Sequence, residues 1–343
     1  MTYCKKEIIE FAKYYGLGNI SNMYCIDSSH GKEDIRENWI LDKKYVLRIN
    51  SRAVMDESRL EDLNRLIDRY LDYGIKAPKF IKNILGKFII DDKGNLIYCS
   101  QYLDMKLVDE DISLEEQKRL NINRLIFIAQ FADKYKNVDI MGTYSMYSLI
   151  DLSPYDKAEG IDEKQQNFNK LIEVLVEIGC VDFADKLNEK YAQLRAYYES
   201  VYKTLPRCVF QGDENFTNIC LDDNGNIGGI FDFNMAGTDV IANYLANIVL
   251  ISDFYFTDED FNANSSREIL KKLFGSFEYN NGQIKKYYNF EEFEYKAYLV
   301  CVKIVMISGF INTSALIKHL RDNKNRDKAL EIIKGMANYE FKN

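Results

Sequence analysis

The sequence has very few histidines and no cysteine pair at a metal-binding spacing. Its 343 residues include two His, His30 and His319, and seven scattered Cys without a Cys-x-x-Cys motif. Structural zinc sites and Ser-His-Asp hydrolases need such side chains, so both classes are disfavoured. The scattered thiols instead predict reduced, buried cysteines in a cytosolic protein.

Long basic and long apolar runs are also missing. The formal net charge is −8, and Lys and Arg form no extended cluster, which argues against a nucleic-acid partner. No stretch of about 18 uncharged apolar residues appears, so no membrane span is expected. The opening MTYCKKEIIEF has no apolar signal segment, and a cytoplasmic location is expected. An acidic chain suits a cationic or neutral small substrate.

The composition is that of a globular protein, and the pattern changes along the chain. Hydrophobic residues make up 47% of the sequence. The first hundred residues predict helix, three strands, helix and two strands, and the remainder is mainly helical. The predicted strands are 23–26, 39–41, 45–49, 88–90 and 96–102, and the predicted helices are 1–15, 56–73, 113–135, within 162–204, 240–252, 265–277 and 290–311.

The most informative segment runs from residue 208 to residue 247 and reads CVFQGDENFTNICLDDNGNIGGIFDFNMAGTDVIANYLAN. A short strand leads to Asp213, and a hairpin follows whose turn contains Asn224-Gly225, a pair that readily supplies two positive-φ residues. Folded this way, Asp213, Asn218 and Asp232 meet at the open end of the hairpin. One carboxylate can accept a hydroxyl proton, while a carboxylate and an amide oxygen hold Mg²⁺, as phosphoryl transfer requires. The alternative is an ordinary surface hairpin rich in turn residues.

This segment resembles the catalytic core of the aminoglycoside phosphotransferase and choline kinase-like family, which is related to protein kinases. The family pattern is His-Gly-Asp, four residues, Asn, and then a hairpin to Ile-Asp-aromatic. Here the pattern reads Gln211-Gly212-Asp213, four residues, Asn218, and then Ile230-Phe231-Asp232-Phe233. Several positions at the right spacing are far more specific than a lone glycine motif.

The resemblance implies an α+β, bilobal, protein-kinase-like fold with a small five-stranded antiparallel lobe and a larger helical lobe. The expected domains are 1–103, which binds nucleotide, and 104–343, which carries the catalytic hairpin at 208–234 and the substrate site. The segment from Leu103 to Ile112 is the candidate boundary.

The resemblance also assigns roles to particular residues. Asp213 is expected to orient the acceptor hydroxyl and take its proton, while Asn218 and Asp232 ligate Mg²⁺. Arg48, in the strand 45–49, is expected to hold the α- and β-phosphates, and Glu61 to fix Arg48 through an ion pair. The alternatives are a solvated edge-strand Arg and a helix-surface carboxylate, and spacing does not separate Glu61 from the adjacent Asp62.

Two backbone segments complete the expected nucleotide site. Ser28-Ser29-His30-Gly31 would form a small anion nest over the phosphates, with Ser29 and Gly31 contributing. Ser100 to Leu103, which includes Tyr102, resembles the hinge that hydrogen-bonds the purine. A mobile surface loop and a simple strand end are the alternatives at these two places.

Three departures from the family pattern stand out. Gln211 replaces the usual His, Asn243 lies near the position of an Asp that supports the catalytic loop, and Ala129-Gln130 replaces a Leu-His pair. A Gln amide can replace one hydrogen bond of the His, and Asp239 is a candidate substitute for the supporting Asp.

The expected function is Mg²⁺-dependent transfer of the γ-phosphate of ATP or GTP to a hydroxyl of a small molecule, such as an aminoglycoside, an amino-alcohol or a sugar derivative. The expected state is a monomer or weak homodimer. The alternative is a catalytically silent kinase-like protein with a nucleotide-sensing or structural role. A protein kinase is disfavoured because no Ala-Pro-Glu segment follows Asp232. Acidic residues after the core either receive an amino-bearing substrate or form a solvated face; they are Asp253, Asp258, Glu259, Asp260, Glu291, Glu292 and Glu294.

Overall fold

The computed structural model describes residues 2–31, 33–51, 54–109, 111–251 and 256–341. The chain folds into two compact units. Unit 1 comprises Met1–Ile112 and Gln211–Ala236, and unit 2 comprises Ser113–Phe210 and Gly237–Asn343. The candidate catalytic segment, which we define as Gln211–Ala236, therefore groups with the N-terminal residues. The domain limits at residues 103 and 104 stay a prediction.

Unit 1 is built on an antiparallel sheet of six strands rather than the five that the sequence predicted. The strand order is β1-β2-β3-β6-β4, and β5 also pairs with β6. The missed strand is the two-residue β4, which is too short to show alternation. The elements are α1 (Lys5–Tyr14), β1 (Met23–Asp27), β2 (Arg36–Leu41), β3 (Tyr45–Asn50), α2 (Glu57–Asp72), β4 (Phe80–Ile81), β5 (Ile89–Asp92), β6 (Asn95–Gln101) and β7 (Lys106–Leu107).

Alternation along the strands gives this sheet two different faces. On one face, Trp39, Leu47 and Ile97 are buried against Ile8 and Ala12 of α1. The opposite face carries polar residues on β2 and β3 beside apolar ones, and it lines a cavity that is described below. One face of the sheet is thus packed against α1, and the opposite face lines the cavity.

The hairpin predicted after Asp213 is present, but its turn differs from the expectation. The arms are β9 (Ile219–Leu221) and β10 (Ile227–Ile230), and β7 pairs with β9. Only Gly225 has a positive φ, of 75°, so Asn224 does not adopt the predicted conformation. The carboxylate of Asp222 instead accepts from the backbone N–H groups of Asn224 and Asn226 and closes a longer turn.

The described residues of unit 2 form helices, connecting segments and one antiparallel strand pair, β8 (Arg207–Phe210) with β11 (Gly237–Val240). The Ser113 side chain caps α3 (Leu114–Lys134) by accepting from the N–H of Glu116. A break at Gly179, where φ is 83°, divides the long helical region 162–204 into two helices. The elements are α3 (Leu114–Lys134), α4 (Glu163–Glu177), α5 (Val181–Val201), β8 (Arg207–Phe210), β11 (Gly237–Val240), α6 (Ile241–Ile251), α7 (Asp258–Ala263), α8 (Ser266–Tyr287), α9 (Glu292–Ser308), α10 (Phe310–Arg321) and α11 (Arg326–Asn338).

One helical stretch, Glu292–Arg321, is long and apolar enough to cross a membrane by length and composition, with a mean hydropathy of 1.8. The helical core of unit 2 accounts for that composition, since α9 packs against α4, α5 and α6. More than half of the apolar window, 56%, is buried inside the protein, and the helix is interrupted at Gly309. A buried core helix passes the same test, and the expected absence of a membrane partner stays a prediction.

Candidate active site

The loop that carries Asp213 depends on a glycine. Gly212 follows β8 and has a φ of 90°, a conformation that L side chains rarely adopt. A Cβ at this position would lie 2.7 Å from the carbonyl carbon of Met235 and even closer to its oxygen. The backbone before Asp213 therefore packs directly on the turn that follows Asp232.

Gln211 links the two halves of the catalytic segment. Its side-chain amide donates to the backbone carbonyls of Phe231 at 2.8 Å and Asp232 at 2.6 Å. Its side-chain oxygen accepts from the N–H of Asp213 at 2.6 Å. Gln211 is fully buried, so these hydrogen bonds form away from water. Gln211, which departs from the family pattern, thus holds the backbone of both Asp213 and Asp232. Its side chain makes three hydrogen bonds, whereas one was expected from the sequence.

Asp213 and Asn218 lie side by side, as the spacing predicted. The Nδ2 of Asn218 donates to the backbone oxygen and to Oδ2 of Asp213, both at 2.9 Å, and Asn215 donates to Oδ1 at 2.7 Å. Because the amide nitrogen of Asn218 faces Asp213, its amide oxygen points elsewhere and is available as a ligand.

Asp232 has the features of a metal ligand. It adopts a left-handed conformation, with φ 59° and ψ 73°, in which a non-glycine residue is strained. Its Oδ1 is buried and has no hydrogen-bond partner among the described residues. The hairpin register pairs Ile219 with Ile230, and the N–H of Phe231 donates to the Asn218 carbonyl, which brings Asn218 next to Asp232.

These two oxygens fit the ligand chemistry of Mg²⁺. In the part of the chain that the structure describes, no group of three or more His, Cys, Asp or Glu side chains is placed to hold a metal ion. A magnesium ion does not need one, because it keeps several waters and takes substrate phosphates beside one or two protein oxygens. An orphaned, buried carboxylate oxygen and an amide oxygen match that requirement.

A cavity of about 380 Å³ in unit 1 adjoins Asp232. Alternate residues of β1, β2 and β3 form one wall, and Leu103, Phe231 and Asp232 belong to the lining. Apolar side chains such as Ile40 and Val46 lie beside polar ones, a mixture typical of small-molecule sites. The polar lining residues that were not predicted include Arg36, Asn38, Asn50 and Asn234. Extending the alternation of Arg48 along β2 and β3 would have found the first three.

Arg48 lies in this cavity, on the face opposite Leu47, as the alternation predicted. Its guanidinium donates to Oγ of Ser100 at 2.6 Å. The ion pair predicted between Arg48 and Glu61 is not formed among the described residues. Glu61 instead pairs with Lys82 at 2.8 Å, and 55% of its side chain is exposed. The ion pair does not form because α2 directs the side chain of Glu61 toward solvent.

The predicted phosphate loop forms internal hydrogen bonds. The N–H of Ser29 donates to Asp27 at 3.0 Å, and its hydroxyl accepts from the N–H of Arg36 at 2.9 Å. Of the described residues of this loop, Ser28 lines the cavity, whereas Ser29 and Gly31 do not. Gly31 has a φ of 85°, which accounts for the glycine.

The predicted hinge, Ser100 to Leu103, contributes all of its residues except Ser100 to the cavity lining. Tyr102 belongs to the lining, and its N–H donates to the carbonyl of Lys44 at 2.7 Å. Ser100 is buried, and its hydroxyl donates to the carbonyl of Gln101 at 3.1 Å. Ser100 therefore links Arg48 to the hinge backbone.

The departures beyond the hairpin lie in unit 2. Asn243 donates to Asp239 and to the carbonyl of Tyr147, and the hydroxyl of Ser145 donates to Asp239 at 2.6 Å. Burial raises the pKa of Asp239 to about 6, despite the hydrogen bonds it accepts. Asp239 and Asn243 thus satisfy each other in a buried polar cluster, and support of the catalytic loop by Asp239 stays a prediction.

Several acidic residues after the core already have partners. Asp258 pairs with Lys318, and Asp260 with Lys272 at 3.0 Å. Glu294 is fully buried and accepts from Tyr288 and Lys136. Asp253 lies outside the described residues. These pairs favour a structural role for Asp258, Asp260 and Glu294.

No protein-family model and no curated protein matches this chain. Among solved structures, an aminoglycoside phosphotransferase from Alicyclobacillus acidocaldarius is 10% identical, with a TM-score of 0.53 over 98% of this chain and 92% of that one. An amicoumacin kinase in complex with AMP-PNP, Ca²⁺ and Ami is 13% identical, with a TM-score of 0.53 over 97% and 92%. At such identities the likeness shows the fold alone. The chain has the kinase-like fold of the aminoglycoside phosphotransferases, and that prediction is confirmed.

Proposed function

We propose that this protein transfers the γ-phosphate of ATP or GTP to a hydroxyl of a small molecule. The observation that carries the proposal is the catalytic segment itself. Gln211 braces Asp213 and Asp232 from one buried side chain. Asp232, whose Oδ1 is buried without a hydrogen-bond partner among the described residues, belongs to the cavity lining. The fold is one in which solved structures include phosphotransferases of small molecules.

Asp213 is the proposed catalytic residue. Its carboxylate would orient the acceptor hydroxyl and take the proton as the bond to phosphorus forms. Loose phosphoryl-transfer transition states need little base strength, so an ordinary carboxylate suffices. The hydrogen bonds from Asn215 and Asn218 hold the carboxylate in one orientation.

The amide oxygen of Asn218 and the carboxylate of Asp232 would hold Mg²⁺. When bound, the metal supplies charge neutralisation at the phosphates. The protein's own contribution is to present these oxygens in fixed positions, with the conformation of Asp232 held by its surroundings.

The cavity is the proposed nucleotide site. Ile40, Val46 and Phe231 offer apolar surface for a purine, and Arg48 offers a cation for the phosphates. Tyr102 would lie beside the purine. Glu61 has no part in this site as the structure stands, because it pairs with Lys82.

The absence of that ion pair among the described residues favours the catalytically silent alternative. In kinase-like enzymes a pair between the strand cation and the following helix must be in place for activity. If the alternative holds, nucleotide would bind and no acceptor would be phosphorylated.

A two-stage experiment tests the proposal. The first stage measures melting temperature with ATP and GTP, with and without Mg²⁺. At about 100 times the dissociation constant, a nucleotide stabilises the folded state by about 2.7 kcal/mol. For a chain of this size that energy raises the melting temperature by a few degrees. No Mg²⁺-dependent shift with either nucleotide would contradict the proposal.

The second stage follows labelled γ-phosphate into a panel of aminoglycosides, amino-alcohols and sugars. Asp213→Asn keeps the shape and removes the charge, and we expect it to abolish transfer while nucleotide binding is retained. Asp223→Asn is the matched control, since Asp223 is an exposed carboxylate in the turn of the same hairpin. Equal turnover in Asp213→Asn and the control would contradict the role of Asp213.

A further inference from the structure

Helix α2 contacts the catalytic segment through a buried arginine. Arg59 is 5% exposed, and its Nη2 donates to the carbonyl of Asn234 at 2.6 Å and approaches that of Ala236 at 3.4 Å. We propose that Arg59 is a positioning residue that holds the turn after Asp232, and thereby holds Asp232 in its metal-binding orientation. This inference rests on the proposed function of the same site.

The two carbonyls belong to the middle and the end of a tight turn. Residues Phe233–Met235 form one turn of 3-10 helix, and the N–H of Ala236 donates back to the Phe233 carbonyl at 3.1 Å. Asn234 lies inside the turn and Ala236 directly follows it. A guanidinium that contacts both carbonyls therefore fixes the turn at its middle and at its end.

The conformation of Asp232 needs such support. A non-glycine residue in the left-handed region is strained and persists only where the surroundings fix it. Gln211 holds the carbonyl of Asp232 on one side of the turn, and Arg59 holds the carbonyls on the other side. With both in place, the buried Oδ1 of Asp232 keeps a single direction.

The same helix contacts the segment at a second point. The hydroxyl of Tyr70 accepts from the N–H of Gln211 at 3.1 Å, and its ring meets the ring of Phe233 edge-on at 5.7 Å. Arg59 and Tyr70 are about 16 Å apart along the axis of α2, from a rise of about 1.5 Å per residue. The helix thus reaches both the start and the end of the catalytic segment.

The position of Arg59 also explains why Glu61 is unavailable. Residues two positions apart on an α-helix differ by about 200° around its axis. When Arg59 points inward from α2, Glu61 therefore points outward. The N–H of Arg59 donates to the N-cap residue Asp56 at 2.7 Å, so Arg59 lies in the first, capped turn of α2. In this protein α2 therefore acts on the metal ligand and not on the strand cation Arg48.

Variants of Arg59 test the inference through the metal. Arg59→Met keeps an unbranched apolar stem but is shorter than Arg and lacks its donors, and Arg65→Met, which makes the same change on the exposed face of α2, is the matched control. The measurement is fluorescence titration of a labelled ATP or GTP, first without metal and then with increasing Mg²⁺. A purely structural role would weaken both titrations together.

We expect Arg59→Met to weaken the apparent Mg²⁺ affinity about tenfold, equivalent to about 1.4 kcal/mol. Its affinity for metal-free nucleotide should stay within a factor of about two. Arg59→Lys offers a single cationic donor group without the planar fork and should lie between wild type and Arg59→Met. Arg65→Met should match wild type in both titrations.

Each outcome is decisive. Wild-type Mg²⁺ affinity in Arg59→Met overturns the positioning role and leaves the proposed function standing. A wild-type protein whose nucleotide binding ignores Mg²⁺ overturns both. If Arg59→Met does not fold, Arg59→Lys decides: a loss of several-fold in Mg²⁺ affinity supports the role, and an unchanged affinity refutes it.

Discussion

Replacing Gln211 should damage stability and catalysis together, and the size of the loss follows from its hydrogen bonds. Gln211→Ala removes two donated bonds, to Phe231 and Asp232, and one accepted bond, from Asp213. A buried partner left unsatisfied costs about 1–3 kcal/mol, although water entering the vacated space recovers part of this. We therefore expect Gln211→Ala to lower the free energy of unfolding by about 2–4 kcal/mol.

Two further substitutions at Gln211 give a graded series. A neutral imidazole has one donor and one acceptor, so Gln211→His can keep two of the hydrogen bonds and should cost about 1 kcal/mol. Gln211→Glu keeps the bond from the N–H of Asp213 but places a carboxylate oxygen against two carbonyls. Gln211→Glu should lower the free energy of unfolding at least as much as Gln211→Ala.

Urea denaturation and phosphoryl transfer measure the two effects. Gln193→Ala is the control, because Gln193 is exposed on α5 and substitutions at such sites change stability by at most about 0.5 kcal/mol. Unfolding of Gln211→Ala at the wild-type urea concentration would contradict the role of these hydrogen bonds. An equal loss of stability in Gln211→His and Gln211→Ala would contradict it as well.

Two other predictions concern backbone conformation and pH. Gly212→Ala should lower stability by more than about 2 kcal/mol, because its φ of 90° is strained for Ala and the new methyl group meets the Met235 carbonyl; Gly142→Ala, where nothing lies within 4 Å, is the control, and equal melting temperatures would contradict this. Asp239→Asn should stabilise the protein above pH 6. Burial raises the pKa of Asp239 from 3.8 to about 6, so the stability that its protonated form contributes is complete below pH 3.8 and is lost as pH rises through 6. The full difference is about 3 kcal/mol, from 1.36 kcal/mol per pKa unit, and a gain that does not change between pH 4 and pH 7 would contradict the assignment.

Sequence alone predicted what depends on local spacing. The interval from Asp213 to Asn218 and the hairpin to Asp232 are set by chain geometry, and the structure brings these residues together. The cavity face of β3 was also predictable, because alternation is a property of the strand itself and places Arg48 opposite Leu47.

Features that depend on how elements pack were not predictable. The periodicity of α2 identified a helix but did not fix which residue turns inward, and Arg59 was missed while Glu61 was chosen. The buried guanidinium of Arg59 donates to carbonyls 175 and 177 residues away in sequence. No local pattern contains that information. For the same reason the sequence did not show how many hydrogen bonds Gln211 makes.

Calorimetric titration of Asp232→Asn with ATP or GTP, with and without Mg²⁺, tests whether Asp232 binds a metal that the nucleotide needs. Asn keeps the shape of the side chain and removes its charge, and Asp223→Asn is the control in the same hairpin. We expect Mg²⁺ to strengthen ATP or GTP binding to wild type and to Asp223→Asn by at least about tenfold, equivalent to about 1.4 kcal/mol, and hardly at all to Asp232→Asn. The same Mg²⁺ dependence in all three proteins would show that Asp232 is not the metal ligand.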